Sequence, residues 1–176
     1  MKLYHTGKVE IRDPDIFRGR KNADFGQGFY LTPDMEFARR WAHGDAVVNE
    51  YELDESGLVI HRFERNEDWF HYIFRNRRFR DGLSADVVIG PIANDTIFDT
   101  LGVISSGFLK AEDAIKLLMI GQEYTQVAVK TEKAVKRLRW LGSEKISKPD
   151  TEFLKAEQDA YSEAFSKVML TILGEE

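Results

Sequence analysis

The chain contains no cysteine. That excludes disulfides, a thiolate nucleophile, thiolate zinc sites and cysteine-held iron–sulfur clusters. The same absence suits a reducing compartment, and the expected location is cytoplasmic. Long apolar runs are missing as well: the longest extend only a few residues, far short of a membrane span, so no membrane association is expected. The N-terminal MKLYHTGKVE meets charges at Lys8 and Glu10, so it lacks the apolar stretch of a signal peptide. Nor is there an excess of positive charge. Lys and Arg number 25 against 30 Asp and Glu, a net charge of −5 that argues against a dedicated nucleic-acid coat but leaves room for a local basic face. Repeats and low-complexity tracts are absent.

What remains is a globular chain. Its 176 residues suffice for a core without staples, and a 43% hydrophobic share with twelve Phe is too apolar for disorder. Patterning predicts strands at 2–5 (closed by Thr6-Gly7), 29–31, 47–53, 58–63, 85–90 and 125–129, with 47–53 and 58–63 forming a hairpin across Asp54-Glu55-Ser56-Gly57. Helices are expected from Pro33 to about Ala42 with Thr32 as N-cap, and over 67–78, 94–101, 111–118, about 132–138 and 151–172. After Gly142 comes the polar segment SEKISKPD. The last helix carries Leu154, Tyr161, Phe165, Val168 and Ile172 on one face, a stripe that something must cover. The order of elements is that of an α+β domain, residues 1–142, followed by a helical extension, 143–176.

Several positions invite a chemical reading. His5, at a strand end beside Thr6-Gly7, can offer a ring nitrogen to a ligand hydroxyl; the bland alternative is a histidine satisfied in a turn. Phe25-Gly26-Gln27-Gly28-Phe29-Tyr30 allows close backbone approach to a ligand. It is not the Rossmann fingerprint, because its glycines enter a strand and no third glycine follows. Trp41 lies eleven residues after Tyr30, and two such aromatics can bracket a flat ring; a core-facing Trp on an amphipathic helix would look the same. Gln126 heads the strand 125–129. Glu123 lies three residues earlier, so in an extended chain the two face opposite sides and only one can share a site with His5. Asp95, at the end of an apolar strand, reads as an N-cap or as a cleft carboxylate. The run Arg75-Asn76-Arg77-Arg78-Phe79-Arg80 reads as a solvated helix end or as a phosphate-tracking nucleic-acid contact through Arg75, Arg77, Arg78 and Arg80. Arg18, Arg20 and Lys21, ahead of the glycine loop, are a second cationic candidate. The four histidines show no metal-ligand spacing, and no metal is expected.

In this order, His5 on a first strand, the Gly26-x-Gly28-Phe29-Tyr30 segment, Trp41 on the next helix and Gln126 on a late strand resemble the His-Tyr-Glu branch of the ADP-ribosyltransferases, which includes poly-ADP-ribose polymerases and diphtheria toxin. Residues 1–140 resemble more closely a family of bacterial proteins of unknown function, DUF3990. That likeness rests on Leu3-Tyr4-His5, Asp24-Phe25-Gly26-Gln27-Gly28-Phe29-Tyr30-Leu31-Thr32, Trp41-Ala42, Gly90-Pro91-Ile92-Ala93-Asn94-Asp95, Gln126 and Thr131-Glu132-Lys133-Ala134.

The resemblance implies an ADP-ribosyltransferase-like split β-sheet sandwich flanked by helices, with NAD+ as substrate. It implies His5, Tyr30 and Gln126 as catalytic residues, and Thr6, Gly7, Arg18, Gly26, Gly28, Phe29 and Trp41 as NAD+-binding residues. Asp95 and Glu123 are secondary candidates. It also implies mono-ADP-ribosyl transfer to a macromolecular acceptor, protein or nucleic acid, as in a toxin or defence effector with a neutralising antitoxin partner. Two departures stand out. Thr6 separates His5 from Gly7 where the branch has Gly directly after His, and Gln126 stands where the polymerases have Glu. An amide accepts hydrogen bonds but takes no proton. Two alternatives follow: an NAD+ glycohydrolase, or a catalytically inactive module that binds NAD+, ADP-ribose or a protein.

Overall fold

A computed structural model of the chain describes residues 1–42, 45–79, 82–93, 109–147 and 151–174. Its described elements are β1 (Lys2–Gly7), β2 (Phe29–Leu31), α1 (Met35–Arg40), β3 (Ala46–Leu53), β4 (Ile60–Arg62), α2 (Glu67–Arg78), β5 (Val87–Pro91), α3 (Ala111–Leu118), β6 (Thr125–Val129), α4 (Glu132–Val135), β7 (Leu138–Ile146) and α5 (Thr151–Leu173). A single 3-10 turn occupies Ile16–Arg18.

The strands form two sheets. One is antiparallel, in the order β1-β3-β7; the other runs β2-β6-β5-β4, antiparallel except for the β4–β5 pair. Strand alternation explains the core between them. Leu3, Tyr51, Leu53 and Leu138 from the first sheet meet Phe29, Leu31, Val87, Ile89, Val127 and Val129 from the second. On the other face of the four-stranded sheet, Val88 and Ala128 pack with Phe25 under Trp69, Phe70 and Ile73 of α2. That helix starts where Asn66 accepts the Trp69 N–H, with Glu67 and Asp68 in its first turn and three arginines in its last, the arrangement the helix dipole favours. The sheets touch where Tyr4 and Thr32 exchange both backbone hydrogen bonds, at 2.8 and 2.9 Å.

Four expectations are corrected. The hairpin between 47–53 and 58–63 does not form. β3 has both edges occupied, by β1 and β7, and the chain crosses at Gly57 (φ +70°) to lay β4 beside β5 in the other sheet. The cap of α1 is Asp34, which accepts the Phe37 N–H, while the Thr32 hydroxyl accepts the Asp34 N–H. β1 runs through Thr6-Gly7 instead of ending before them, because Thr6 and Gly7 pair with Val48 and Val47. The helix expected over about 132–138 stops at Val135. β7 continues to Ile146, and a bulge at Leu141 lets the polar Ser143-Glu144-Lys145 form an outer edge.

The expected helix at 94–101 lies outside the described residues. From Tyr161 onward the stripe of α5 is covered from within the chain. Tyr161, Ala164, Phe165, Val168, Met169 and Ile172 pack on Leu109, Leu117 and Ile120. Among the described residues no helix is long and apolar enough to cross a membrane.

Candidate functional site

His5 faces into the space between the sheets, on the same side of β1 as Leu3, with its ring centroid 4.4 Å from that of Phe29. Its Nδ1 lies 2.7 Å from the carbonyl oxygen of Tyr30. A carbonyl only accepts, so Nδ1 carries the proton. Burial pushes the ring's pKa below 6.5, so at neutral pH the imidazole is uncharged and Nε2 is left as an acceptor. Gly7 keeps the space beside it clear: a Cβ there would stand 3.4 Å from Nε2.

The neighbouring backbone is open. The Leu53 N–H donates to the Met1 carbonyl, which fixes the alternation of β1. Residues 3, 5 and 7 bond to β3, and residues 4 and 6 turn the other way. Tyr4 spends its groups on Thr32. Beyond that bridge, the Thr6 N–H and C=O face outward and meet no partner among the described residues. The Thr6 side chain is engaged instead, donating to the Ala38 carbonyl and so holding α1 against β1.

The glycine segment is a pinned turn. Gly26 sits at φ +78°, a conformation that other residues adopt only with strain, and its N–H donates to Ala23. The Tyr30 hydroxyl donates to the Gly26 carbonyl at 2.7 Å and accepts the Phe25 N–H at 2.9 Å. Burial pushes this phenol far above its ordinary pKa, so it holds the turn as a neutral group. Gly28 serves close approach of strands, since a Cβ there would lie 2.7 Å from the Val129 carbonyl oxygen. The preceding loop docks on this turn through Gln27, which donates to Phe17 O at 2.8 Å, leaving Arg18 exposed and 3.6 Å from Asp15.

Gln126 lies on the α2 side of the sheet with Tyr30 and Ala128, and is only 4% exposed. Its Nε2 donates to Asp24 Oδ2 at 2.9 Å and to the Pro91 carbonyl at 3.1 Å. Asp24 Oδ1 receives Arg77 Nε at 2.6 Å and also the Arg77 Nη2, while Oδ2 receives the Ala93 N–H at 3.2 Å. Asn76 donates to the Asp24 carbonyl at 3.0 Å, and Trp69 Nε1 shares the Pro91 carbonyl. The result is a buried polar cluster under α2 in which both oxygens of Asp24 and the amide nitrogen of Gln126 are engaged.

The remaining candidates scatter. Trp41 ends α1 partly exposed, its ring 5.0 Å from Phe37, which stacks at 4.2 Å on Tyr124. The Tyr124 hydroxyl accepts from Arg40 Nη1 at 2.8 Å and donates to Glu157 of α5, so the terminal helix reaches this aromatic stack. Glu123 is exposed and lies ahead of β6, apart from the Gln126 cluster. Asp95 and Arg80 lie outside the described residues. The arginine run does not form one exposed patch: Arg77 is buried on Asp24, whereas Arg75 is exposed and Arg78 lies 3.8 Å over the Phe74 ring. Surface depressions occur elsewhere: one of about 300 Å³ is lined by Val59, Asp86 and Lys130, and another lies beside Met1, Asp54 and Arg137.

The anchoring roles of Asp24 and Asn76 are not evident from the sequence. Their only signals are an acid directly before an apolar-glycine turn and an amide on the apolar stripe of α2, three residues after Ile73.

The class defined by this architecture is an α+β protein of two mostly antiparallel sheets with a terminal helix. The family described as protein of unknown function (DUF3990) matches residues 1–140, and the chain belongs to that family. No curated protein and no solved structure matches it.

Proposed function

We propose that this protein is an NAD+-dependent mono-ADP-ribosyltransferase. The observation that carries the reading is the open backbone pair of Thr6 beside the acceptor nitrogen of His5. A carboxamide presents a carbonyl and an NH2 group side by side. An outward N–H and C=O on one residue complement it, as a strand edge complements another strand. The nicotinamide end of NAD+ has that group, and its ribose carries hydroxyls that can donate to His5 Nε2. The likeness of the His5, Gly26–Tyr30 and Trp41 pattern to the His-Tyr-Glu transferases supports the same reading.

In this chemistry the glycosidic C–N bond breaks heterolytically. Its electron pair leaves on nicotinamide, which departs neutral, and the ribose carbon acquires oxocarbenium character. A nucleophilic acceptor then forms the new bond from the opposite face and gives up its proton to solvent. The role of His5 is to hold a ribose hydroxyl by accepting from it, and Tyr30 fixes the turn through its hydroxyl. Gln126 contributes an amide dipole and no charge, which is weaker than a carboxylate at a developing cation.

That last property favours a second reading, a module that binds NAD+ or ADP-ribose without turnover. Incubation with NAD+ labelled in the adenylate, with and without cell lysate, separates the readings. Label carried onto a macromolecule supports transfer. Free ADP-ribose alone supports hydrolysis. Saturable binding without turnover supports the module, and absence of both binding and turnover overturns the NAD+ assignment.

A further inference from the structure

The polar cluster under α2 does more than fill the core, because it decides which end of the Gln126 amide is available. An amide side chain has a donor end and an acceptor end of nearly equal shape, and only its partners set which way it points. Here both partners of Nε2, the Asp24 carboxylate and the Pro91 carbonyl, are acceptors with no hydrogen to give. The NH2 end must face them, and both of its hydrogens are used. Asp24 in turn cannot rotate away. Arg77 grips Oδ1 through two nitrogens, and the Ala93 N–H together with Gln126 occupies Oδ2. Gln126 Oε1 therefore points away from the cluster and accepts no hydrogen bond from a described residue.

We propose that Asp24 and Arg77 are positioning residues that lock the Gln126 amide so that it presents Oε1, an acceptor, to a hydroxyl of the bound nucleotide. The inference deepens the NAD+ reading and rests on it for the identity of the hydroxyl. It also explains how an uncharged residue can stand at the head of β6: the locked amide keeps the acceptor that a carboxylate would offer, without placing a second negative charge against Asp24.

The test is an exchange of partners using Asp24→Asn, Gln126→Glu and the double variant in the full chain. Asp24→Asn keeps shape and can keep its oxygen on Arg77. Its new NH2 then meets the NH2 of Gln126, which keeps only the Pro91 carbonyl as a partner and is no longer locked. Gln126→Glu sets two carboxylates against each other. In the double variant the amide introduced at position 24 donates to one oxygen of the carboxylate introduced at position 126, and the other oxygen stays presented as an acceptor. Each single variant is expected to weaken NAD+ binding about tenfold or more, as for a misdirected hydrogen bond to a polar ligand, while the double variant binds more tightly than either. A double variant weaker than both singles overturns the proposal.

Thermal midpoints give a readout that needs no ligand: Gln126→Glu is expected to fall by about 5 °C or more and the double variant to recover part of that. If the parent protein binds no NAD+, the functional reading fails by itself, and the midpoints still decide the lock. Recovery in the double variant sustains it, and additive losses end it.

Discussion

His5 Nδ1 lies 2.7 Å from the carbonyl oxygen of Tyr30, a contact that ties the first strand of one sheet to the first strand of the other and sets the tautomer of a buried histidine. Because burial lowers the ring's pKa in the folded state, the unfolded chain binds a proton more readily below pH 6.5. Stability is therefore expected to fall as pH drops below that value, and to be regained as pH rises through it. Thermal midpoints of the parent and of His5→Asn between pH 5 and 8 check this. The parent's slope should exceed that of the variant, and equal slopes contradict the assignment.

Tyr30→Phe removes the hydroxyl that joins the Phe25 N–H to the Gly26 carbonyl but keeps the ring in place. Two backbone groups lose a partner, so a loss of about 1–3 kcal/mol is expected in denaturant unfolding. A change below experimental error would mean that water replaces the hydroxyl and that the turn does not depend on it.

Gly28→Ala places a Cβ 2.7 Å from the Val129 carbonyl oxygen, where backbone cannot yield without parting β2 from β6. About 2–3 kcal/mol of destabilisation is expected, in the range of overpacked interiors. The same substitution at Gly142, where a Cβ meets nothing within 4 Å, serves as the control and should change stability little. A similar loss at both positions would contradict the close-approach explanation.

Asp86 holds the crossing between the sheets. Its carboxylate accepts the Val59 N–H, the Thr131 hydroxyl and the Lys133 ammonium. These bonds, the Val59 N–H foremost, push its pKa down to about 2 from 3.8. A carboxylate so depressed stabilises the fold fully above pH 3.8, and that contribution is lost as pH falls toward 2. Asp86→Ala should cost about 2–3 kcal/mol at pH 7 through the unpaired backbone and hydroxyl donors, and should flatten the acid limb of the stability profile. An unchanged acid limb contradicts this role.

Local pattern made much of the fold legible. The stripe Trp69, Phe70 and Ile73 gave α2 its limits, and the apolar run before Gly90 gave β5. Pairing was less legible, because it depends on residues far apart. Val47–Leu53 alternates as a hairpin arm would, yet its partners are β1 and β7, and nothing local in 58–63 announces a parallel pair with β5. β7 hid for a related reason: as an edge strand it carries Ser143, Glu144 and Lys145, polar residues with no apolar alternation. In the candidate site, His5, Tyr30 and Gln126 stood out by residue type and setting, but the anchor of Gln126 did not. Asp24 is 102 residues away from Gln126, and a buried Arg77 among exposed arginines looks the same in sequence as its neighbours.

In the proposed function the His5–Thr6 edge receives the nicotinamide end of NAD+. Nicotinamide release from NAD+ in the presence of cell lysate, compared between the parent protein and His5→Ala, tests it most directly. Release by the parent and a loss of about a hundredfold or more in the variant are expected, the scale of removing a positioned polar group at a reacting centre. Equal release by both proteins, or a parent that neither binds NAD+ nor releases nicotinamide, would contradict it.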